Sequence, residues 1–227
     1  MTRKIGQTLR LTKPANGTAP GPALERSAAY YFLLLGGVTP ILFFATTFLC
    51  GLIMGDYNHL TGLVSELGAS GTRSQYVFSA GLLLCSALSV LFVIGLYSTS
   101  RAIGISTIPA LIILSYSISI AGAAIFPLPL RLHLIMGMPS VLLFLSPLTS
   151  LFLWSASRRL LRVREASLLS FFTMSLGFLA YAPEILSNYP GLKQRLFHLG
   201  WSIWFLYLSY AFSRLFKKQN TEESFSV

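Results

Sequence analysis

Six stretches of this chain run for about 20 residues with no charged side chain near their middles, and that pattern dictates its fold. They are Ala28–Met54, Tyr76–Tyr97, Ile103–Phe126, His133–Trp154, Ala166–Ala182 and Leu196–Leu215. A helix rises about 1.5 Å per residue and the hydrocarbon core of a bilayer is about 30 Å thick, so these lengths suit transmembrane helices. The fifth stretch is short and needs flanking residues or a thinned bilayer. Charged residues make up 11% of the chain, against roughly 25% in soluble domains. So few charges cannot cover a water-exposed surface, which excludes a soluble enzyme, a disordered chain and a disulfide scaffold. The expected fold is all-α: a polytopic membrane protein with six transmembrane helices in one bundle.

The net charge of +10 orients the bundle. With the N-terminus inside, the inner segments hold Arg3, Lys4, Arg10, Lys13, Arg26, Arg101, Arg158, Arg159, Arg162, Arg164, Arg214, Lys217 and Lys218, which is 13 of 17 basic residues. The outer segments hold Arg73, Arg131, Lys193 and Arg195. Basic residues are retained on the cytoplasmic side, so both termini are expected there, in a plasma or inner membrane. Residues 1–27 then read as a flexible basic cytoplasmic tail, 28–215 as the transmembrane domain and 216–227 as a cytoplasmic C-terminal tail. The basic run at Arg158–Arg164 faces anionic lipid, not nucleic acid.

Within the spans the polarity is mild. Ion-coupled transporters, proton pumps and voltage sensors need charge at depth, and none is present near a midplane. Ser115, Ser117 and Ser119 alternate in the third span ahead of Ala121-Gly122-Ala123-Ala124, a small-residue face suited to helix packing. Cys50 and Cys85 lie in apolar runs and read as buried hydrophobes. Pro40, Pro109, Pro139 and Pro147 fall inside spans, where neighbours must satisfy the carbonyls they free.

The polar chemistry gathers at the outer ends. His59, His133 and His198 all fall there, with Asp56, Glu66 and Glu184. Three imidazoles and a carboxylate have the donor set of a zinc site, although no HExxH spacing accompanies them. That would make the protein a metal-dependent hydrolase or transferase acting on lipid. Gly68-Ala69-Ser70-Gly71 has the Gly-x-Ser-Gly form of rhomboid proteases, but four spans separate Ser70 from His198, and the match is read as coincidence. Arg131 and Arg195 sit where guanidinium groups bind phosphate. His198, Trp201 and Trp204 follow Arg195 on one helix face, a stripe suited to a headgroup above and an acyl chain below.

Ser65-Glu66-Leu67-Gly68 after Tyr57-Asn58-His59, Phe126-Pro127 with His133, and Gly191…Gln194-Arg195…Trp201 together resemble the membrane family termed domain of unknown function 998. The resemblance runs from about Ala28 to Leu215, and in layout that family is similar to DRAM/Sfk-type six-helix proteins. It implies site roles for Ser65, Glu66, His133 and Arg195. The family carries Glu where this chain has Gln194, so Arg195 is expected to pair with Glu66 or Glu184 instead. Ser65 is expected to cap a short helix in the first outer loop.

The leading expectation is a non-catalytic membrane protein that binds a lipid-like ligand through Ser65, Glu66, Arg131, His133, Arg195, His198 and Trp201, without a cofactor. Zinc on His59, His133 and His198 is the alternative. The expected partners are membrane lipids, with a further membrane protein or a second copy next; an accessory subunit of a larger complex is the third reading.

Overall fold

In the computed structural model, which describes residues 23–157 and 159–224, every regular element is helical. The α-helices are α1 (Ala23–Met54), α2 (Gln75–Ala102), α3 (Ile108–Ile112), α4 (Leu114–Ile125), α5 (Arg131–Gly137), α6 (Leu145–Leu153), α7 (Val163–Ser175) and α8 (Pro190–Ser224). Three 3₁₀ segments join them: Val64–Gly68 in the first loop, Met138–Phe144 between α5 and α6, and Leu176–Tyr181 after α7. The N-terminal tail expected over 1–27 lies outside the described residues, apart from Ala23–Ser27 at the start of α1.

Five stretches are long and apolar enough to cross a membrane: Ala28–Met54, Gln75–Ala102, Ile108–Ile125, Arg131–Leu153 and Val163–Tyr181. The sixth expected span, Leu196–Leu215, is helical throughout as part of α8. Its Trp, Tyr and Ser residues dilute its hydropathy, because an indole or phenol contributes little on a transfer scale despite its size.

The third span begins later than its apolar run suggests. Gly104 has φ +71°, Gly104 N–H bonds Arg101 O at 3.2 Å, and Ile105 N–H bonds Ser100 O at 3.0 Å. Those two bonds make a Schellman ending for α2, so residues 103–107 are connection and not the helix start expected at Ile103. The fourth span is broken in its middle. Pro139 enters the 3₁₀ segment Met138–Phe144, and the Gly137 carbonyl accepts the hydroxyls of Ser119 at 3.0 Å and Ser140 at 2.6 Å. Side chains thus satisfy an oxygen at the break, as an apolar medium demands.

The helices pack in chain order around a ring that closes where α8 meets α1 and α7. On the α1–α2 seam a Cβ at Gly95 would meet the backbone of Leu33 at 3.0 Å and of Ala29 at 3.2 Å, tighter than side chains ordinarily pack. Polarity is inverted relative to a soluble bundle. Ser86, Ser89, Ser117, Ser146, Ser150, Ser167 and Ser170 are buried, whereas Ile41, Phe48, Leu52, Phe152 and Phe172 are each more than half exposed. The serines bond across helices: Ser86 to Ser117 O, Ser117 to Ser89, Ser150 to Ser167, and Ser170 to Gly200 O. Apolar side chains outside and internally satisfied polar groups inside are the arrangement that a bilayer solvent selects.

α8 carries the core. Trp201, Trp204, Phe205, Leu208 and Phe212 are fully buried. The Trp201 ring packs at a tilt 4.5 Å from that of Tyr116 of α4, and Phe205 lies 5.4 Å from Phe92 of α2. Trp204 Nε1–H donates to Ser146 Oγ, which in turn donates to Pro109 O. The face read as an acyl-chain stripe is therefore the inner face of the bundle.

Candidate functional site

The loop between α1 and α2 folds over one end of the ring, and α8 fastens it. Arg195 Nη1–H donates to Gly62 O at 2.9 Å and to Gly191 O at 3.0 Å. Its Nη2 donates to Tyr57 Oη at 2.9 Å and to His59 Nδ1 at 3.0 Å, with the guanidinium 5.7 Å from the Tyr57 ring centroid. The Tyr57 hydroxyl points back at the Gly62 and Leu63 carbonyls, each at 2.8 Å. Gln194 Oε1 accepts from Val64 N–H at 2.7 Å, and Leu192 N–H reaches Leu60 O at 2.9 Å. At Gly191 a Cβ would strike Gly62 O and His59 O, so the first turn of α8 approaches the loop as closely as two backbones can. On the opposite side Ser70 N–H bonds Leu128 O at 2.8 Å.

The Ser65-Glu66-Leu67-Gly68 motif is explained atom by atom. Glu66 Oε2 accepts from Leu63 N–H at 3.0 Å, satisfying a donor that the 3₁₀ turn leaves free. Leu67 is fully buried, and its carbonyl accepts the Ser74 hydroxyl at 2.6 Å. Gly68 leaves room for the Phe78 ring. Ser65 lies inside the turn and does not cap it; the cap position is Leu63. Arg195 is held by two carbonyls, a phenol and an imidazole, and not by Glu66 or Glu184, because the loop backbone reaches it first.

Electrostatics in the loop follow from this packing. Burial pushes the Tyr57 phenol up, and Arg195 partly opposes the shift. Burial and then the Arg195 charge hold His59 below the ordinary imidazole value. Since Arg195 can only donate, His59 Nδ1 is an acceptor and the ring is neutral with its proton on Nε2.

Beneath the loop lies a cavity of about 230 Å³. A water takes about 30 Å³ of liquid, so the space is several waters large. Val64 and Ser65 roof it, with Gln194, Phe197 and His198 from α8 and Phe43, Phe78 and Leu82 from α1 and α2. Tyr116, Ser119, Ile120 and Ala123 of α4 form another wall, and His133, Gly137 and Ser140 of the broken fourth span complete it. Phe43 lies 11 residues from the end of α1 and Tyr116 nine from the end of α4, placing the floor about 14–16 Å below the loop. None of the described residues that line it is charged.

Two imidazoles in the wall have fixed and opposite roles. Trp201 Nε1–H donates to His198 Nδ1 at 3.0 Å. An indole only donates, so His198 is neutral and its proton is on Nε2. Among the described residues that buried Nε2 has no hydrogen-bond partner, and neither has the buried Tyr116 hydroxyl. His133 is the reverse: its Nδ1 lies 2.8 Å from Phe126 O and so donates, leaving Nε2 a lone pair when the ring is neutral.

The structure thus gathers Ser65, His133 and His198 from the expected site into one cavity and leaves the others elsewhere. Glu66 and Arg195 build the roof, Trp201 is buried behind His198, and Arg131 is exposed at the start of α5. His59, His133 and His198 do not form a cluster. His59 faces Arg195, His133 faces the Phe126 carbonyl, and His198 packs between Phe43 and Trp201. Among the described residues no three His, Cys, Asp or Glu side chains form a group able to hold a metal ion. Sequence reasoning missed Tyr116, which hides one position out of phase between two of the three singled-out serines. It also missed Tyr57 as the partner of Arg195.

The family model described as Protein of unknown function (DUF998) matches residues 38–211, and the chain belongs to that family. No curated protein and no solved structure matches the sequence.

Proposed function

We propose that this DUF998 member is a six-span protein of the plasma or inner membrane, with both termini in the cytoplasm, that binds a lipid-like ligand without transforming it. The observation that carries this reading is the cavity under the Arg195-fastened loop, whose lining residues include His198 and Tyr116, each with a buried polar atom (Nε2 and Oη) that has no hydrogen-bond partner among the described residues. Buried polar groups in native proteins are nearly always satisfied, so an orphaned pair lining a cavity marks the place of an absent hydrogen-bonding occupant. Mostly apolar walls with a few convergent polar groups are the usual make-up of a small-molecule site. Binding is favoured over catalysis because the Ser119 and Ser140 hydroxyls both donate to Gly137 O, and none of the described residues lining the cavity is a carboxylate that could orient an imidazole base.

The sixth crossing is supported by α8, which is 35 residues long and packs against both α1 and α7. The 13-to-4 division of basic residues supports cytoplasmic termini.

Native mass spectrometry of the full chain in mild detergent tests the binding reading. The expected spectrum holds the protein with a retained small amphiphile, and Ala123→Leu, which fills the cavity, loses it. A retained polypeptide in place of an amphiphile, or an amphiphile equally retained by Ala123→Leu, would overturn the reading.

A further inference from the structure

We infer that the ligand is an uncharged amphiphile whose polar end carries both a hydrogen-bond acceptor and a hydroxyl, such as a glycerol ester, and not an anionic phospholipid. This rests on the binding reading above and names the class of molecule that the same cavity takes.

The argument comes from what the wall offers. The two cationic residues that the sequence placed near a headgroup do not line the cavity. All four hydrogen bonds that Arg195 makes go to the loop and its own helix, and Arg131 is exposed at the start of α5. A phosphate or carboxylate in the cavity would meet no positive charge, and burying an unpaired anion in so apolar a place costs far more than one hydrogen bond returns.

The wall does offer directional neutral groups. His198 Nε2–H is a donor with no acceptor, fixed as such because Nδ1 takes the indole proton of Trp201. The Tyr116 hydroxyl, on a residue 1% exposed, is a second unsatisfied group. His133 Nε2 supplies an acceptor, because Nδ1–H is spent on Phe126 O. An ester or ketone carbonyl satisfies the donors and a hydroxyl satisfies the acceptor. The aromatic and aliphatic lining of Phe43, Phe78, Leu82 and Phe197 suits the start of an alkyl chain.

The test compares three probes of equal chain length in the purified full-length protein: monooleoylglycerol, oleate and oleoyl lysophosphatidic acid. Quenching or shift of the tryptophan fluorescence reads binding, since Trp201 touches His198. Monooleoylglycerol is expected to bind at least tenfold more tightly than either anion. Tyr116→Phe keeps the ring in place and should weaken monooleoylglycerol about fivefold, the worth of one hydrogen bond. Ala123→Leu should abolish the signal. Size-exclusion profiles matching the parent confirm that both variants are folded. Equal or tighter binding of an anion, reversed by Ala123→Leu, would overturn the neutral-ligand inference while leaving the binding site standing. Failure of all three probes in the folded parent would overturn the inference and count against the binding reading as well.

Discussion

The Arg195 guanidinium donates to the Tyr57 hydroxyl at 2.9 Å, joining residues 138 apart in the chain. Through this contact the first loop and the last helix become one structure. The same side chain also reaches the Gly62 and Gly191 carbonyls and His59 Nδ1, so four loop and helix-end groups depend on one planar fork.

Removing that fork should loosen the roof while leaving the helical ring intact. Arg195→Ala is expected to cost about 2–3 kcal/mol, since hydrogen bonds to a charged group contribute more than neutral ones. Arg195→Lys should recover little, because an ammonium cannot reproduce the forked geometry. Thermal unfolding in detergent gives the loss. Limited proteolysis of both variants should show new cleavage within residues 55–74, and an uncut loop would contradict the assignment.

Gln194 provides a cleaner comparison. Its Oε1 accepts from Val64 N–H, and a glutamate would offer an equivalent oxygen. Gln194→Glu, which keeps that oxygen, should change stability by less than about 1 kcal/mol. Gln194→Leu leaves the amide unsatisfied and should cost about 1–3 kcal/mol. The ordering of the two melting temperatures checks the contact.

The tightest steric requirement is at Gly191. Because a Cβ there would overlap Gly62 O and His59 O, Gly191→Ala must push the loop away from α8. The substitution is expected to destabilise, opposite in sign to an ordinary helical Gly→Ala change, which is normally stabilising by about 1 kcal/mol. Thermal unfolding of Gly191→Ala beside the parent distinguishes the two signs directly.

His59 should make the roof sensitive to acid. Its folded pKa is lowered from the ordinary 6.5, first by burial and then by Arg195. The unfolded chain therefore binds the proton more readily in the window just below pH 6.5, so stability there rises with pH and falls on acidification. The contribution is whole above that window and declines as the pH drops toward the folded value. His59→Gln, which cannot titrate, should flatten the melting temperature across pH 7 to 5. An unchanged slope would remove His59 from this role.

A further contact of the same kind lies within the bundle. Ser146 bridges Trp204 Nε1 and Pro109 O, both buried. Ser146→Ala orphans an indole N–H within the bundle and should cost about 1–2 kcal/mol, near the upper range for hydrogen bonds between membrane helices. Thermal unfolding measures it, and a neutral result would mean that the indole finds another partner.

The architecture was legible in the sequence where physics is local. Runs of uncharged apolar residues dictate helices and a bilayer solvent regardless of what packs against them, and five such stretches stand in the structure close to their expected positions. Two of the three serines in the third span pack as that reading expects, Ser117 and Ser119 bonding Ser89 and Gly137 O on neighbouring elements, whereas the Ser115 hydroxyl has no partner among the described residues. Local turn chemistry was harder to read. The Gly104 ending of α2 and the 3₁₀ break at Pro139 move span boundaries that hydropathy alone draws smoothly.

The tertiary structure decided which polar groups meet. Hydropathy and charge counts place Arg195, His198 and Trp201 on one face of one helix, yet a stripe has no meaning until its neighbours are known. Arg195 turns to the loop, Trp201 to the core, and His198 to a cavity lined by residues from five other parts of the chain. Likewise three histidines near one end of a bundle look like a metal set in sequence. The order of helices around the ring gives each a separate partner. Composition determines the solvent in which a chain folds, because transfer energies add residue by residue. A site depends on distances between residues far apart in the chain, and only packing sets those.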